Sequence, residues 1–442
     1  MEKIEISNRF KLTYGRMPDA SLIQLPAHKT VAVSAMDIPY IRPKLLVKEN
    51  DPVKTGTPLF FDKRNSAIQY VSPGTGKVQK IVFGERRRLK EVVIALDNRD
   101  DFVRFEAFDS DQFETFPKAD IIQRLQKGGL WQCFREFPSR DTADDTHTPP
   151  MIIVSLNGND PYSPEPGIAL GKNAALFESG LKLLKCFTPK IIISARSDSL
   201  ATLGKLKQHV THVVSDTYPS WDPGVVLYKL KTSVAENQSW CISAEHLIWA
   251  VQLLLTGQYP VTKVVTVTRN QDKKPHMLIR QGAPVKDIIG QIKANTLITT
   301  GQFNGRQVDP DSHIGFFETH LNVIPDIPNE NMFSFIRPGF STPSASKTFI
   351  SSLIRTPKKF DCNLHGEERA CINCGYCTRI CPVDLAPSFV MKALASDDIE
   401  DALGYGLWDC VRCGLCSFVC PSKIELTQIL SKGMDAYYKD KQ

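Results

Sequence analysis

The sequence predicts a multidomain α/β protein that closes on a small, mainly helical domain, and three observations carry that reading. Between residues 30 and 96, alternating valines and isoleucines broken by Gly, Pro and Asn turns mark short strands with one buried face. From Met151 onward, strand-like and helix-like runs alternate, the pattern of a parallel sheet with crossover helices. Towards the C-terminal end, eight of the twelve cysteines fall in two runs of four.

A chain of 442 residues has a length prior of about three domains, and 42% apolar residues are enough to bury several cores. The longest apolar runs, such as 247–255, fall far short of the ~20 residues a membrane-spanning helix needs. Residues 1–10 alternate charged and apolar side chains without a signal-peptide core. A cytoplasmic chain with reduced thiols is therefore expected. A net charge of +6 is modest, and its one local concentration, Arg86, Arg87, Arg88 and Lys90, reads as a solvated turn. No nucleic-acid motif accompanies it.

In chain order, strands are expected at 30–34, 44–47, 58–61, 68–71, 76–82 and 91–95, closing a small β-sandwich over residues 1–98. Asn50-Asp51 and the 72–76 stretch Ser-Pro-Gly-Thr-Gly supply its turns. Residues 99–150 form a connecting region with one helix, 119–127, and an exposed linker from Arg140 to Pro150. The α/β domain, 151–245, should hold strands at 151–156, 190–194 and 210–215 and helices at 168–185 and 198–209. Such a sheet offers a ligand crevice at its strand ends. The loop after its first strand, Asn157-Gly158-Asn159-Asp160-Pro161, lacks G-x-G-x-x-G, so a dinucleotide cradle is not expected. In 246–302 a helix at 245–255, strands at 263–268 and 276–280 and a helix at 285–292 look like a small β-grasp module. Residues 303–360 connect, with strand-like 321–324 and 332–336. In 361–442 helices are expected at 387–394, 398–403 and 426–438.

The cysteines define the chemistry. Cys371, Cys374, Cys377 and Cys381, then Pro382, spell C-x2-C-x2-C-x3-C-P, and Cys410, Cys413, Cys416 and Cys420, then Pro421, repeat it. The first three thiolates of such a run converge on one iron-sulfur cube, whereas the fourth ligates the neighbouring cluster. Cys371, Cys374, Cys377 and Cys420 are thus assigned to one [4Fe-4S] cluster, and Cys410, Cys413, Cys416 and Cys381 to a second. Structural zinc, which asks for four ligands around one ion, fits two runs of four poorly. A disulfide framework is disfavoured in a large core-forming chain. His209 and His212 form H-x2-H without a third ligand. Cys133, Cys186, Cys241 and Cys362 read as small apolar residues. No catalytic residue is identified.

Residues 46–82 resemble the lipoyl- or biotinyl-carrier type of barrel-sandwich, but Lys63 does not fall at the centre of the hairpin and reads as an ordinary exposed lysine. The order of sandwich, Rossmann-like α/β domain, SLBB-type β-grasp module and two-cluster ferredoxin-like domain resembles the A subunits of the sodium-translocating NADH:quinone reductase and the related C subunits of the Rnf complex. Val53-Lys54-Thr55-Gly56 through Lys63, Ser72-Pro73 through Val78, and Arg86 to Ile94 carry the likeness. Where the Rnf subunit has a G-G-A-G-F-P-T loop for flavin and NADH, residues 128–138 read GGLWQCFREFP, similar to the quinone reductase's G-L-W-x-x-x-R-x-x-P. Trp131 and Arg135 would then occupy the cofactor's space, and no flavin or NAD site is expected. Residues 363–369 resemble its H-G-x-x-R segment. The eight cysteines depart from typical quinone-reductase subunits and match the Rnf subunit. The resemblance implies a peripheral subunit on the cytoplasmic face of the bacterial inner membrane, within a six-subunit complex. Integral membrane subunits would move the cation and a separate flavin subunit would oxidise NADH, with quinone as the acceptor. The alternatives are an Rnf-like subunit that binds NADH and flavin itself, a docking scaffold with structural clusters, and a carrier modified at Lys63.

Overall fold

A computed structural model describes residues 1–6, 19–109, 113, 116–269, 275–326, 340, 350–354 and 367–441. The N-terminal sandwich sets a four-stranded sheet (Thr30–Ser34, Leu89–Leu96, Gly76–Phe83, Pro52–Val53) against a three-stranded one (Pro43–Leu45, Pro58–Asp62, Asn65–Val71). Alternation works as expected, with Val31, Val78, Val92 and Ile94 facing Leu59, Phe60 and Tyr70 inside. Phe60 and Tyr70 are cross-strand partners with rings stacked at 4.9 Å, an arrangement that adds about 0.5–1.5 kcal/mol to burial. Asn50 takes the left-handed turn conformation its side chain tolerates (φ 72°). One expectation is corrected here. Lys63 lies in the two-residue turn between Pro58–Asp62 and Asn65–Val71, at the tip of the hairpin, because Asp62 pairs with Asn65. Arg86 and Arg87 lie on an exposed turn between the last two strands.

The central sheet has seven strands in the order Glu2–Ile4, His212–Val214, Ile191–Arg196, Ile152–Ser155, Trp240–Ser243, Arg135–Glu136 and Asp141–Thr142. The first five are parallel, Arg135–Glu136 runs against them, and Asp141–Thr142 pairs antiparallel with Arg135–Glu136. Four details depart from the sequence reading. The expected 168–185 helix is interrupted by a 3-10 turn at Gly171–Asn173, and the regular helix is Ala174–Lys185. The expected 198–209 helix is two 3-10 turns, since Gly204 at φ 53° breaks the α geometry. Residues 140–150 are not an exposed linker throughout. Asp141–Thr142 is the sheet's edge strand, and the buried Asp141 carboxylate is held by Arg64 from the sandwich. Finally, Trp240–Ser243 and the helix Pro223–Leu230 were not anticipated, although Asp222-Pro223 is an N-cap signal and Asp222 accepts from the Gly224 amide at 2.8 Å.

The helix Ala244–Thr256 packs on Ala174–Lys185, where Gly180 lets Leu247 approach closely, so it belongs to the central layer and not with the strands that follow. Ser243 caps its start, and Gly257 at φ 65° ends it. Those following strands join a second, five-stranded sheet in the order Thr296–Thr299, His320–Pro325, Thr262–Arg269, Pro275–Arg280 and Asp19–Gln24, covered by the short helix Val285–Ile289. The C-terminal helices Pro387–Ala395, Ile399–Gly404 and Leu426–Asp440 enclose Val390, Leu407, Leu430 and Met434. Residues 332–336, Cys362 and 363–366 lie outside the described residues.

Candidate metal centres and the adjoining crevice

The two cysteine runs repeat one backbone conformation at an offset of 39 residues, from Cys371 to Cys410 and on through Cys381 to Cys420. Gly375 (φ 72°) and Gly414 (φ 84°) open the helices Tyr376–Ile380 and Leu415–Phe418, which carry the third cysteine of each run. Asn373 and Arg412 share a left-handed φ of 54° and 55°, and Asp384 and Lys423 one of 53° and 58°. These turns curl each loop so that its thiols face inward.

Two small cavities result. Cys371, Cys374, Cys377 and Cys420 line one; Cys381, Cys410, Cys413 and Cys416 line the other. Each therefore takes three cysteines from one run and the trailing cysteine from the other. Around the second cavity the Arg412 amide donates to Cys410 Sγ and the Leu385 amide to Cys381 Sγ, both at 3.4 Å, and Thr427 Oγ1 lies 3.3 Å from Cys416 Sγ. Burial pushes the Cys381 and Cys410 thiols up to about 11 and Cys416 up to about 12. Such thiols give up their protons to a metal, not to neutral water. Among the described residues, no group of three or more His, Cys, Asp or Glu side chains converges tightly enough to hold a single ion.

The second cavity leans on the central layer. Ile380, Leu415 and Val419 join a core with Phe137, Met151, Ile153, Tyr218 and Trp221, and Tyr218 Oη donates to the Cys413 carbonyl at 2.8 Å. Arg140, ion-paired with Asp222, shares a pocket with Cys410.

Beyond Arg412 opens a crevice of about 450 Å³ at the C-terminal ends of Ile152–Ser155 and Trp240–Ser243. The chain leaves Ile152–Ser155 for Ile191–Arg196 on one side and returns to Trp240–Ser243 on the other, which makes this the topological switch point. The Asn157–Asp160 loop, Arg135, Glu245 and His246 line it. The Arg135 guanidinium lies over the Phe317 ring at 4.7 Å. Trp131, by contrast, is fully buried in the core, bonded through Nε1 to the Ala143 carbonyl, and does not line the crevice. Burial, with Lys263 and Arg135 nearby, pushes the His246 imidazole down to about 3, and its ring stacks on Phe316. Asp37, on the same wall, ion-pairs with Arg306 at 2.9 Å, and Arg306 also reaches Glu318 at 2.8 Å. None of Asp37, Arg140, His246 and Arg412 was singled out from sequence. Their partners lie far away in the chain, and only the positive φ at Arg412 has a local counterpart in Asn373.

The remaining candidates stand apart. His209 and His212 each face one carboxylate, Glu178 and Glu2. Cys186 donates to the Phe113 carbonyl, while Cys133 and Cys241 are buried beside the crevice.

Comparison with known proteins matches residues 4–97 to the NqrA N-terminal barrel-sandwich hybrid domain, 116–259 to the NqrA second alpha/beta domain, and 370–424 to a 4Fe-4S dicluster domain. The A subunit of the Na(+)-translocating NADH-quinone reductase of Marinomonas sp. (strain MWYL1) is 26% identical over 409 residues, covering 91% of both chains. Its counterpart in Klebsiella pneumoniae (strain 342) is 28% identical over 415 residues, covering 91% of this chain and 92% of its own. Among solved structures, an NAD+-reducing [NiFe]-hydrogenase in the H2-reduced state is similar over 74% of this chain and 61% of that one, under two thirds of its length. At 10% identity and a TM-score of 0.37, that likeness carries no inference.

Proposed function

Since the chain belongs to the NqrA family, whose two domain models together match more than half of its residues, we propose that it is an electron-carrying subunit of an NADH-quinone reductase complex that translocates sodium. The observation that most supports electron carriage is the crossed set of cysteines: three from one run and the trailing one from the other around each of two cavities. On this reading Cys371, Cys374, Cys377 and Cys420 hold one [4Fe-4S] cluster, and Cys410, Cys413, Cys416 and Cys381 a second. Each cluster, when bound, supplies one-electron transfer at a potential tuned by hydrogen bonds, charge and exposure. The chain's own part is to hold and bias them. Backbone amides donate to the Cys381 and Cys410 sulfurs, Tyr218 anchors the Cys413 carbonyl, and the Arg140–Asp222 pair stands beside Cys410.

The finer architecture is proposed as Rossmann-like for the central layer and SLBB-type β-grasp for the five-stranded sheet. The partners are proposed to be the integral membrane subunits and the separate flavin-bearing subunit of a six-subunit complex, with this chain peripheral at the cytoplasmic face and quinone as the complex's acceptor. Cation movement is assigned to those partners; among the described residues no helix is long and apolar enough to cross a membrane. A second reading, an Rnf-like chain that binds NADH and flavin itself, draws on the open crevice at the switch point.

Iron, sulfide and flavin analysis of the anaerobically purified chain, with electron paramagnetic resonance after dithionite and after NADH, separates the two. About eight irons, no flavin, and reduction by dithionite alone is the expected result. Bound flavin with clusters reduced by NADH would replace it with the Rnf-like reading.

A further inference from the structure

The 39-residue repeat allows the two cavities to be compared position by position; charge differs at Asn373/Arg412, Arg379/Phe418 and Asp384/Lys423, and of these only the first pair lies between two cysteines of the C-x2-C-x2-C loop. Between the first two cysteines of the first run stands Asn373, a residue that takes the left-handed conformation readily. Its counterpart is Arg412, a long side chain held in the same conformation. Asn373 accepts from Lys392 on an exposed surface. Arg412 instead points between three parts of the molecule. Its Nη2 donates to Asp435 of the C-terminal helix at 2.7 Å and to Tyr40 of the sandwich at 3.0 Å, and Tyr40 donates to the same carboxylate at 2.7 Å. The residue also lines both the crevice and the second cysteine cavity, so it forms the wall between them. The other charges on this side are paired too, Asp384 with Lys229, Asp409 with Lys231 and Arg140 with Asp222, as Arg412 is with Asp435.

Resting on the two-cluster reading above, we infer that Arg412, balanced by Asp435, sets the reduction potential of the cluster held by Cys381, Cys410, Cys413 and Cys416 independently of the other cluster. Reduction adds one negative charge to a cluster. A guanidinium fixed beside it favours the reduced form, and a carboxylate opposes it. Because Asp435 and Tyr40 hold the guanidinium in place, its charge acts at a fixed distance. Arg412 thus acts on the cluster through its charge and not as a ligand.

The test is a potentiometric titration of the full chain, followed by electron paramagnetic resonance. The signal lost in Cys374→Ala identifies the first cluster and the one retained identifies the second. Wild-type iron content and the presence of two signals test the two-cluster reading itself. Arg412→Asn installs the residue that already serves in the first run, so the turn and the iron content are expected to survive. The second cluster's potential is expected to fall by a factor of about ten in its one-electron constant, about 59 mV. Asp435→Asn is expected to move the same signal in the opposite direction, and the first cluster to stay put in both. Two signals that shift together, or neither shifting, would overturn the inference and leave the two-cluster reading intact. Should Arg412→Asn lose iron, Arg412→Lys and Asp435→Asn decide. Retention of the potential by the first and a rise in the second support the inference, and any other pair of results overturns it.

Discussion

The two cysteine runs have the same spacing and the same backbone turns, yet they inhabit different surroundings. Ile372, in the first loop, is 67% exposed, whereas its counterpart Val411 is 7% exposed and packs with Val225, Val383 and Leu385. The first loop turns Ile372 and Asn373 to the surface, while the second is wedged against the central sheet through Leu415, Val419 and Tyr218. The local grammar of a motif therefore fixes how its ligands converge, and the neighbours decide what those ligands experience.

The largest expected effect breaks the comparison outright. Cys374→Ala and Cys413→Ala should each remove one of the two paramagnetic signals and about four irons. Unchanged iron in either variant would sink the ligand assignment. Next is the support unique to the second side. Asp222→Ala strands Arg140 beside Cys410 and removes a helix cap, at an expected cost of about 3–5 kcal/mol in chemical denaturation. Removing the mostly exposed Asp384 from Lys229 should cost less than about 1 kcal/mol. Comparable losses would mean that the buried pair has no special weight. Apolar contacts follow the same line. Leu415→Ala should cost about 2–5 kcal/mol, and Ile372→Ala should stay within about 0.5 kcal/mol. Equal effects would show that the first loop is covered in solution.

A pH profile probes the crevice wall behind Arg412. Burial, reinforced by Glu318, raises the Asp37 carboxyl to about 6, from an unfolded value near 4. The native state therefore binds this proton more tightly than the unfolded chain. Stability contributed below about pH 4 is lost as the pH rises through 6. Asp37→Asn should flatten the denaturation midpoint across that window; a slope that persists would assign it to another group. The effect is expected to be the smallest of the set, because Arg306 offsets part of the charge.

Much of this was legible in the chain. The strands of the sandwich, the alternation of the central layer and the C-terminal helices follow from periodicity, and spacing anticipates the crossed grouping of the cysteines around two cavities. The misreadings have physical causes. Residues 140–150 look like a polar linker because the sequence does not reveal that Arg64, 77 positions before Asp141, supplies the partner that lets its carboxylate be buried. The helix 244–256 reads as the opening of the next module, since its amphipathicity does not name the helix it packs on. The alternation over residues 1–10 names no partner strand; residues 2–4 become a strand because His212–Val214 offers a parallel edge.

What the sequence determined by itself was local: four thiols at fixed spacing, glycines at the turns that need a left-handed backbone, and a proline closing each run. These are set by bonds and torsions within a few residues. Only the tertiary structure decided that one loop exposes Ile372 where the other buries Val411, that Arg140 and Arg412 converge on Cys410, and that a crevice opens beside them. Burial and charge depend on which distant residues fill the surrounding space, and that is decided when the layers pack.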